Sequence, residues 1–360
     1  MVSVDAGTVR RSLRKALRER LREPASRVPG PGAADPSAAT GATWSALVRS
    51  GAPGLDAPLE AGGLGLGLMA STAVAEELGH AGLDSRYLAV AATIDTLPEQ
   101  ADALVGGLVA GELTVTLAGF ETPEPGLKAT TAVDGAVRLT GELARDPGPT
   151  DAILTPVVLA GGDAAVVLLP PGGETPPARD PSGASARMRF DGDVYPGVRL
   201  LRTWPIGAVC PEGPAGRARI RQAAYLLGVA GGALLTGVRY ATDRRQFGRA
   251  LRDFQSVAFR LAEVHIEVEA LRLAVNRAVY LADGGLPYGH RAAEVLAQAA
   301  ETAAVASRLT MQLCGARGLT GELPAHRYHL LVRREGGRLG QPGHLWREAG
   351  RRRLALTQAV

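Results

Sequence analysis

Lysine is almost missing from this 360-residue chain. Lys15 and Lys128 stand alone, and arginine supplies nearly all of the 40 basic residues set against 36 acidic ones. That balance, with heavy use of alanine and glycine, matches coding bias in a GC-rich genome and asks for no polyanionic partner. Aromatic residues make up only 4% of the chain, so no stacking platform for bases is evident. The basic runs at 10–22 and 351–353 therefore read as solvated helix faces, not as nucleic-acid or membrane contacts. No apolar run approaches the ~20 residues of a membrane span. The first 23 residues lack the apolar stretch and small-residue cleavage site of a secretory signal. Two cysteines, Cys210 and Cys314, make neither a disulfide framework nor a metal-ligand spacing, and a cytoplasmic protein with free thiols is the expectation.

What is present divides into three parts, 1–112, 113–205 and 206–360. The first reads as helical: a helical period over 8–21, a Pro/Gly/Ala/Ser linker over 24–41, then helices at 44–49, 69–79 and 97–110. The glycines at 62–67 lack the preceding strand and the Lys-Ser/Thr ending of a phosphate loop, so they read as a turn between helices. The second part changes to short β-rich runs (113–117, 136–140, 153–159, 164–169, 186–190) separated by Gly, Pro and Asp, the pattern of a small antiparallel sheet or barrel. From 213 onward a 3.6-residue period returns. Ala224, Leu227, Ala230, Leu234 and Val238 share one face, as do Val257, Leu261, Val264, Val268 and Leu271, and then Val295, Ala299, Thr302, Ala306 and Leu309. Three such helices and the segment after Tyr328 fit a four-helix bundle, with stripes broad enough for subunit packing.

The most specific segment is YATDRRQFGRALRDFQSVAFRLAE, residues 240–263. Arg244, Gln246, Phe247 and Gln255 fall there at fixed offsets around an Arg-x-Gln-Phe-Gly break. It resembles the signature of the acyl-CoA dehydrogenase family, as does QLCGARGLT at 312–320. GLDAPLEAGGLGLGLMASTAVAEELG, at 54–79, matches the family's N-terminal helical domain. The resemblance covers most of the chain and implies an α+β fold: an N-terminal helical domain, a middle antiparallel β-domain and a C-terminal four-helix bundle. It also implies FAD as cofactor, an acyl thioester of CoA or a carrier protein as substrate, and an oligomer. Arg244, Gln246, Phe247 and Gln255 would hold the pyrophosphate and adenosine end of the flavin of a neighbouring subunit. An arginine forks onto a pyrophosphate, a glutamine hydrogen-bonds it and a phenylalanine packs on adenine. Gln312 and Gly315 match a Gln-x-x-Gly-Gly element in which Ala316 replaces the second glycine.

The flavin-ring and substrate end departs from the family pattern. LAGFETPEPG at 117–126 lacks the Gly-Ser-Asp of the first-strand motif. Aligned on Gly141, ELARDP puts Arg145 where the family has an aromatic and Pro147 where it has a threonine. Arg145 and Asp146 are the substrate-pocket candidates, and Pro147 has neither hydroxyl nor N–H to offer a ring nitrogen. Dehydrogenation at Cα–Cβ needs a carboxylate for the α-proton, and the family places it at one of two positions. Those positions hold Ala218 and Leu339 here. Glu335, one helical turn from Leu339, is the substitute candidate, against the plainer expectation of a surface residue paired with Arg333, Arg334 or Arg338. Losing a general base costs about 10²–10⁴ in rate.

The C-terminal block at 322–352 resembles a subset of the family in which two paralogous chains form one enzyme and only one supplies the Glu. The first reading is thus a subunit without the base, in a heteromeric FAD-linked acyl-CoA dehydrogenase. A fold recruited to a non-redox cyclisation or elimination, using Asp146, Arg145 or Glu335, is the second. A structural homologue that binds neither flavin nor thioester is the third. A self-sufficient dehydrogenase requires Glu335 to reach the pocket or a different alignment at 218 and 339. No metal is expected.

Overall fold

The computed structural model describes residues 6–26, 37–84, 86–97, 102–121, 125–131, 136–145, 150–170, 178–179, 186–204, 214–320 and 322–358. The helices before the sheet are α1 (Ala6–Ser26), α2 (Ser37–Arg49), α3 (Gly67–Ala81), α4 (Arg86–Thr96) and α5 (Asp102–Ala110). The first extends past the start of the expected linker, through Pro24, and the second begins inside that linker. The fourth has no counterpart in the sequence reading. Its residues Tyr87–Ile94 are buried on every side, so no amphipathic period marks it.

The sheet is built from β1 (Val115–Leu117), β2 (Leu127–Thr131), β3 (Val137–Arg145), β4 (Ala152–Leu159), β5 (Ala164–Leu169), β6 (Ala178–Arg179), β7 (Ala186–Val194) and β8 (Arg199–Trp204). Their order is β6-β7-β3-β2-β4-β5-β8, with β1 added alongside β4. Neighbours are antiparallel except where β4 meets β1 and β2, which run parallel to it. Alternation along β2 and β3 sends Leu127, Ala129, Val137, Leu139 and Leu143 into a second core of the molecule.

After the sheet come α6 (Pro214–Asp243), a hairpin of β9 (Arg245–Gln246) and β10 (Arg249–Ala250), α7 (Gln255–Asp283), α8 (Gly289–Cys314), the short α9 (Ala316–Leu319), α10 (Ala325–Glu335) and α11 (Pro342–Gln358). The sixth helix is the axis of the molecule. Gly216 meets Tyr288 at the start of the eighth helix and Gly237 meets Thr310 near its end, so these two run parallel. Tyr225 and Val229 press on Gly79, and Gly228 on Glu76, so closely that an added Cβ on either glycine would collide with backbone. That is what lets α3 lie against α6 with backbones in contact.

Buried charge ties the N-terminal helices to this axis. Arg221, fully buried, donates to Asp56, Asp95 and Ser71. Burial pulls its pKa down, but Asp56 and Asp95 outweigh that and raise it, so it stays charged. Arg10, Arg14 and Arg18 of the first helix pair with the buried Glu76 and Glu77, joined by Arg272 from α7. One side of the basic run at 10–22 is therefore a docking face, and not only a solvated one. The N-terminus of α3, reached through the glycine turn, is capped by the chain itself: the backbone N–H groups of Leu68 and Met69 donate to Asp283 at 2.8 and 3.0 Å. Among the described residues no helix is long and apolar enough to cross a membrane.

Candidate functional site

The sequence candidates collect at the two ends of α6. At its C-terminal end, the hairpin pairs Gln246 with Arg249 and Arg245 with Ala250. The loop between is Phe247–Gly248, with φ of +51° and +81°, so both central residues are left-handed, as in a type I′ turn. Such turns favour Asn-Gly, and a phenylalanine in this conformation is strained. Its ring is 92% exposed. Its only ring neighbour among the described residues is Phe254, edge-on at 6.4 Å between centroids, and the Arg249 guanidinium lies over that second ring at 3.8 Å. Arg244 and Gln246 are exposed as well, and Gln255, also exposed, opens the seventh helix.

Gln312 and Gly315 belong to the same end. Thr310 Oγ1 donates to the Ala233 carbonyl at 2.8 Å, and Arg317 lies over the Tyr240 ring at 5.9 Å, which fixes the end of α8 beside the end of α6. Gly315 has φ +54° and ψ −138°, with open space where a Cβ would stand. Ala316 has an ordinary negative φ as the first residue of the short ninth helix, so the methyl in place of a second glycine distorts nothing. Five polar or small groups and one bare aromatic ring thus face outward around one end of the bundle. The donor set suits a pyrophosphate and a flat heterocycle.

At the N-terminal end, Ala218 and Leu339 are both buried, and the intervening Arg219 donates from Nε to the Leu339 carbonyl at 3.3 Å. That hydrogen bond brings the two positions of the sequence reading near one another. Beside it opens a pocket of about 240 Å³ lined by Phe120, Glu121, Arg219, Gly340, His344 and Glu348, among others, though neither Ala218 nor Leu339 is among the residues that line it. Arg219 pairs with Glu348 at 2.8 Å, and Arg352 reaches the same carboxylate at 2.7 Å. Burial pushes the Glu348 carboxyl up, but Arg219 and Arg352 outweigh it and hold it below the ordinary value. A carboxylate held low is a weak proton acceptor.

Glu335 does not line this pocket. It is completely buried, bound by Arg334 at 2.8 Å and Arg338 at 2.7 Å, and Gln222 donates to both its carbonyl and its carboxylate. Pairing with Arg334 and Arg338 matches the plainer expectation, but the residue is interior and not on the surface. The tenth helix ends at Glu335, so the turn-to-turn geometry that would have aligned it with Leu339 stops there. Arg145 sits half-buried at the end of β3, paired in register with Ala186, and is not among the pocket-lining residues. Asp146, Pro147 and Cys210 lie outside the described residues. Cys314 is buried, and burial raises its thiol pKa. His326 and His329 lie on the tenth helix, and no cluster of metal-ligating side chains occurs among the described residues.

Sequence reasoning missed Arg219, Glu348 and His344 as pocket residues. His344 and Glu348 carry a signal only in hindsight, an i, i+4 pair on one face of α11.

The helical, sheet and bundle parts with this arrangement are those of the acyl-CoA dehydrogenases. The family's N-terminal domain matches residues 6–103 and its C-terminal domain residues 212–336, and the chain belongs to this family. A short-chain specific acyl-CoA dehydrogenase of Clostridium acetobutylicum is 38% identical over 109 residues, 30% of this chain and 29% of that one. The match thus spans under a third of that relative's length. Among solved structures, a variant of the Tcur3481-Tcur3483 steroid ACAD is 26% identical, with a TM-score of 0.82 over 99% of this chain and 100% of that one. The ChsE4-ChsE5 complex from Mycobacterium tuberculosis is 25% identical, with a TM-score of 0.78 over 97% of each chain.

Proposed function

We propose that this chain is a subunit of an FAD-linked acyl-thioester α,β-dehydrogenase that lacks the catalytic base and works beside a paralogous chain that carries it. The observation that supports the reading is that Ala218 and Leu339 are buried residues, neither able to accept a proton, next in sequence to Arg219 and Gly340, which line the pocket. Glu348, one of the two glutamates that line the pocket with Glu121, and Glu335, the one nearest Leu339 in sequence, are both committed to arginines. In this reading Arg244, Gln246, Phe247, Gln255, Gln312 and Gly315 hold the pyrophosphate and adenosine end of FAD, which would supply the hydride acceptor. They stand about 36 Å along α6 from the chain's own pocket, at 1.5 Å per residue, so they serve a flavin that reacts in another chain. Residues 1–112, 113–205 and 206–360 would act as the N-terminal helical, middle and C-terminal units, in the cytoplasm. The two-chain names of the steroid ACAD and of the ChsE4-ChsE5 complex support a heteromer.

The test is co-purification with a paralogue bearing Glu at the position of Ala218 or of Leu339. Flavin colour and acyl-CoA oxidation should appear with the pair, and Arg244→Ala in this chain should release the flavin. Equal flavin content in the wild-type and Arg244→Ala pairs would sink the assignment. A second reading, non-redox proton transfer in the pocket, is favoured by His344 lying beside Glu121 and Glu348 there. It requires turnover by flavin-free protein, abolished in His344→Ala.

A further inference from the structure

The pocket beside Arg219 has two unlike sides. Phe120 and the buried Leu345 supply an apolar wall. Gly340 completes it. Its φ is +129°, and an added Cβ would stand 2.9 Å from Leu345 Cδ2, so the wall has room there only for glycine. The other side is one face of α11. His344, Arg347, Glu348 and Arg351 all line the pocket, at the three- and four-residue spacing that makes side chains neighbours on a helix.

The charges on this second side do not cancel. Glu348 is already answered twice, by Arg219 at 2.8 Å and by Arg352 at 2.7 Å. Arg347 and Arg351 are exposed, and among the described residues no carboxylate pairs with either. Arg347 donates its Nε to the Gly343 carbonyl at 3.1 Å, one turn back, which leaves its Nη groups available. Two guanidinium groups four residues apart, at the edge of an apolar cavity, are placed to share one anion.

Size and charge narrow the choice of anion. About 240 Å³ is the volume of roughly eight waters at ~30 Å³ each. That is room for a ligand of roughly eight to ten non-hydrogen atoms, and too little for a nucleotide. Glu121 and Glu348 also line the pocket, so one negative charge is tolerated there better than two. A bare inorganic anion would leave the apolar wall uncovered.

We propose that this pocket binds a small amphipathic carboxylic acid in its free form, its apolar body on Phe120 and Leu345 and its carboxylate held by Arg347 and Arg351. A thioester masks the very carboxylate that this pair would hold. Hydrolysis of an acyl thioester releases such an acid, so the ligand is chemically adjacent to the substrate of the proposed function. The site uses none of the residues assigned to the flavin, and it stands whether or not that reading does.

Octanoate, with about ten non-hydrogen atoms, is the probe, titrated by calorimetry into the purified chain. Saturable binding at one site, with a Kd below about 1 mM, is expected. Arg347→Gln and Arg351→Gln should each weaken it at least about 10-fold, the loss of one charge-assisted hydrogen bond. Arg353→Gln, altered at an arginine paired instead with Glu294, should bind as the wild type does. The wild type decides independently of any variant's folding. 1-Octanol, the same body without the charge, should bind at least about 10-fold more weakly, and neither inorganic phosphate nor octanoyl-CoA should displace octanoate. Absence of saturable octanoate binding, equal affinity for octanol, or displacement by phosphate or by octanoyl-CoA would each overturn the proposal. So would undiminished binding in either arginine variant, or an equal loss in Arg353→Gln.

Discussion

Phe247 concentrates the conflict between folding and function in one residue. A left-handed backbone costs an L residue about 1–2 kcal/mol, and a ring 92% exposed offsets only part of it through its edge-on contact with Phe254. Phe247→Gly should therefore stabilise the isolated chain by about 1 kcal/mol, seen as a higher midpoint in chemical denaturation. The same variant should lower the flavin content of the paralogous pair. A variant that loses stability would mean the ring makes packing contacts at the turn. The spacing of Arg244, Gln246 and Phe247 was legible in the sequence because it is a short-range pattern. The turn's type was not, since type I′ loops advertise themselves by Asn-Gly and this one does not. Glu335 was misjudged as a surface residue for the opposite reason. Its partner Gln222 lies 113 positions away, and no local pattern reports that contact.

Among the elements, α6 depends on Arg221. Burial pulls the Asp56 carboxyl up, but the guanidinium of Arg221, with Ser71 and Arg217, outweighs it and holds it below the ordinary 3.8. A carboxylate depressed in the folded state adds stability above its unfolded pKa, and that stability is lost as pH falls through the folded value. Wild-type stability should thus decline below about pH 4. Arg221→Met leaves Arg217 as the one cationic partner of Asp56 and Asp95 among the described residues, at 3.7 and 3.0 Å, and should cost about 3 kcal/mol at pH 7. In the variant the burial of Asp56 is less fully opposed, so this carboxyl takes up a proton more readily and the deficit should narrow as pH falls. Denaturant titrations of both proteins from pH 7 to pH 3 check this, and a deficit that does not vary with pH would contradict it. The long periodic helices, α6, α7 and α8, were readable from their stripes, as were five of the strands. The fourth helix was not, because complete burial erases periodicity. Nor was the eighth strand, whose RLLRTW carries arginines where alternation would place apolar residues.

Across the whole molecule, one end of α6 carries residues suited to a dinucleotide and the other adjoins a pocket, near which the two family base positions hold Ala218 and Leu339. Short motifs pointed to the hairpin end, while the pocket residues Arg219, His344 and Glu348 carried no such pattern. What separates them, a 30-residue helix standing between, follows only from the fold. This separation is what the proposed role, a contributor to chemistry in another subunit, rests on. The most direct measurement is an anaerobic titration with an acyl-CoA of this chain supplied with FAD, following the visible flavin band, first alone and then with the Glu-bearing paralogue. The account predicts no bleaching by this chain alone and bleaching once the paralogue is added. Bleaching by the chain alone would show that it has a base of its own, and would contradict the reading of Ala218 and Leu339.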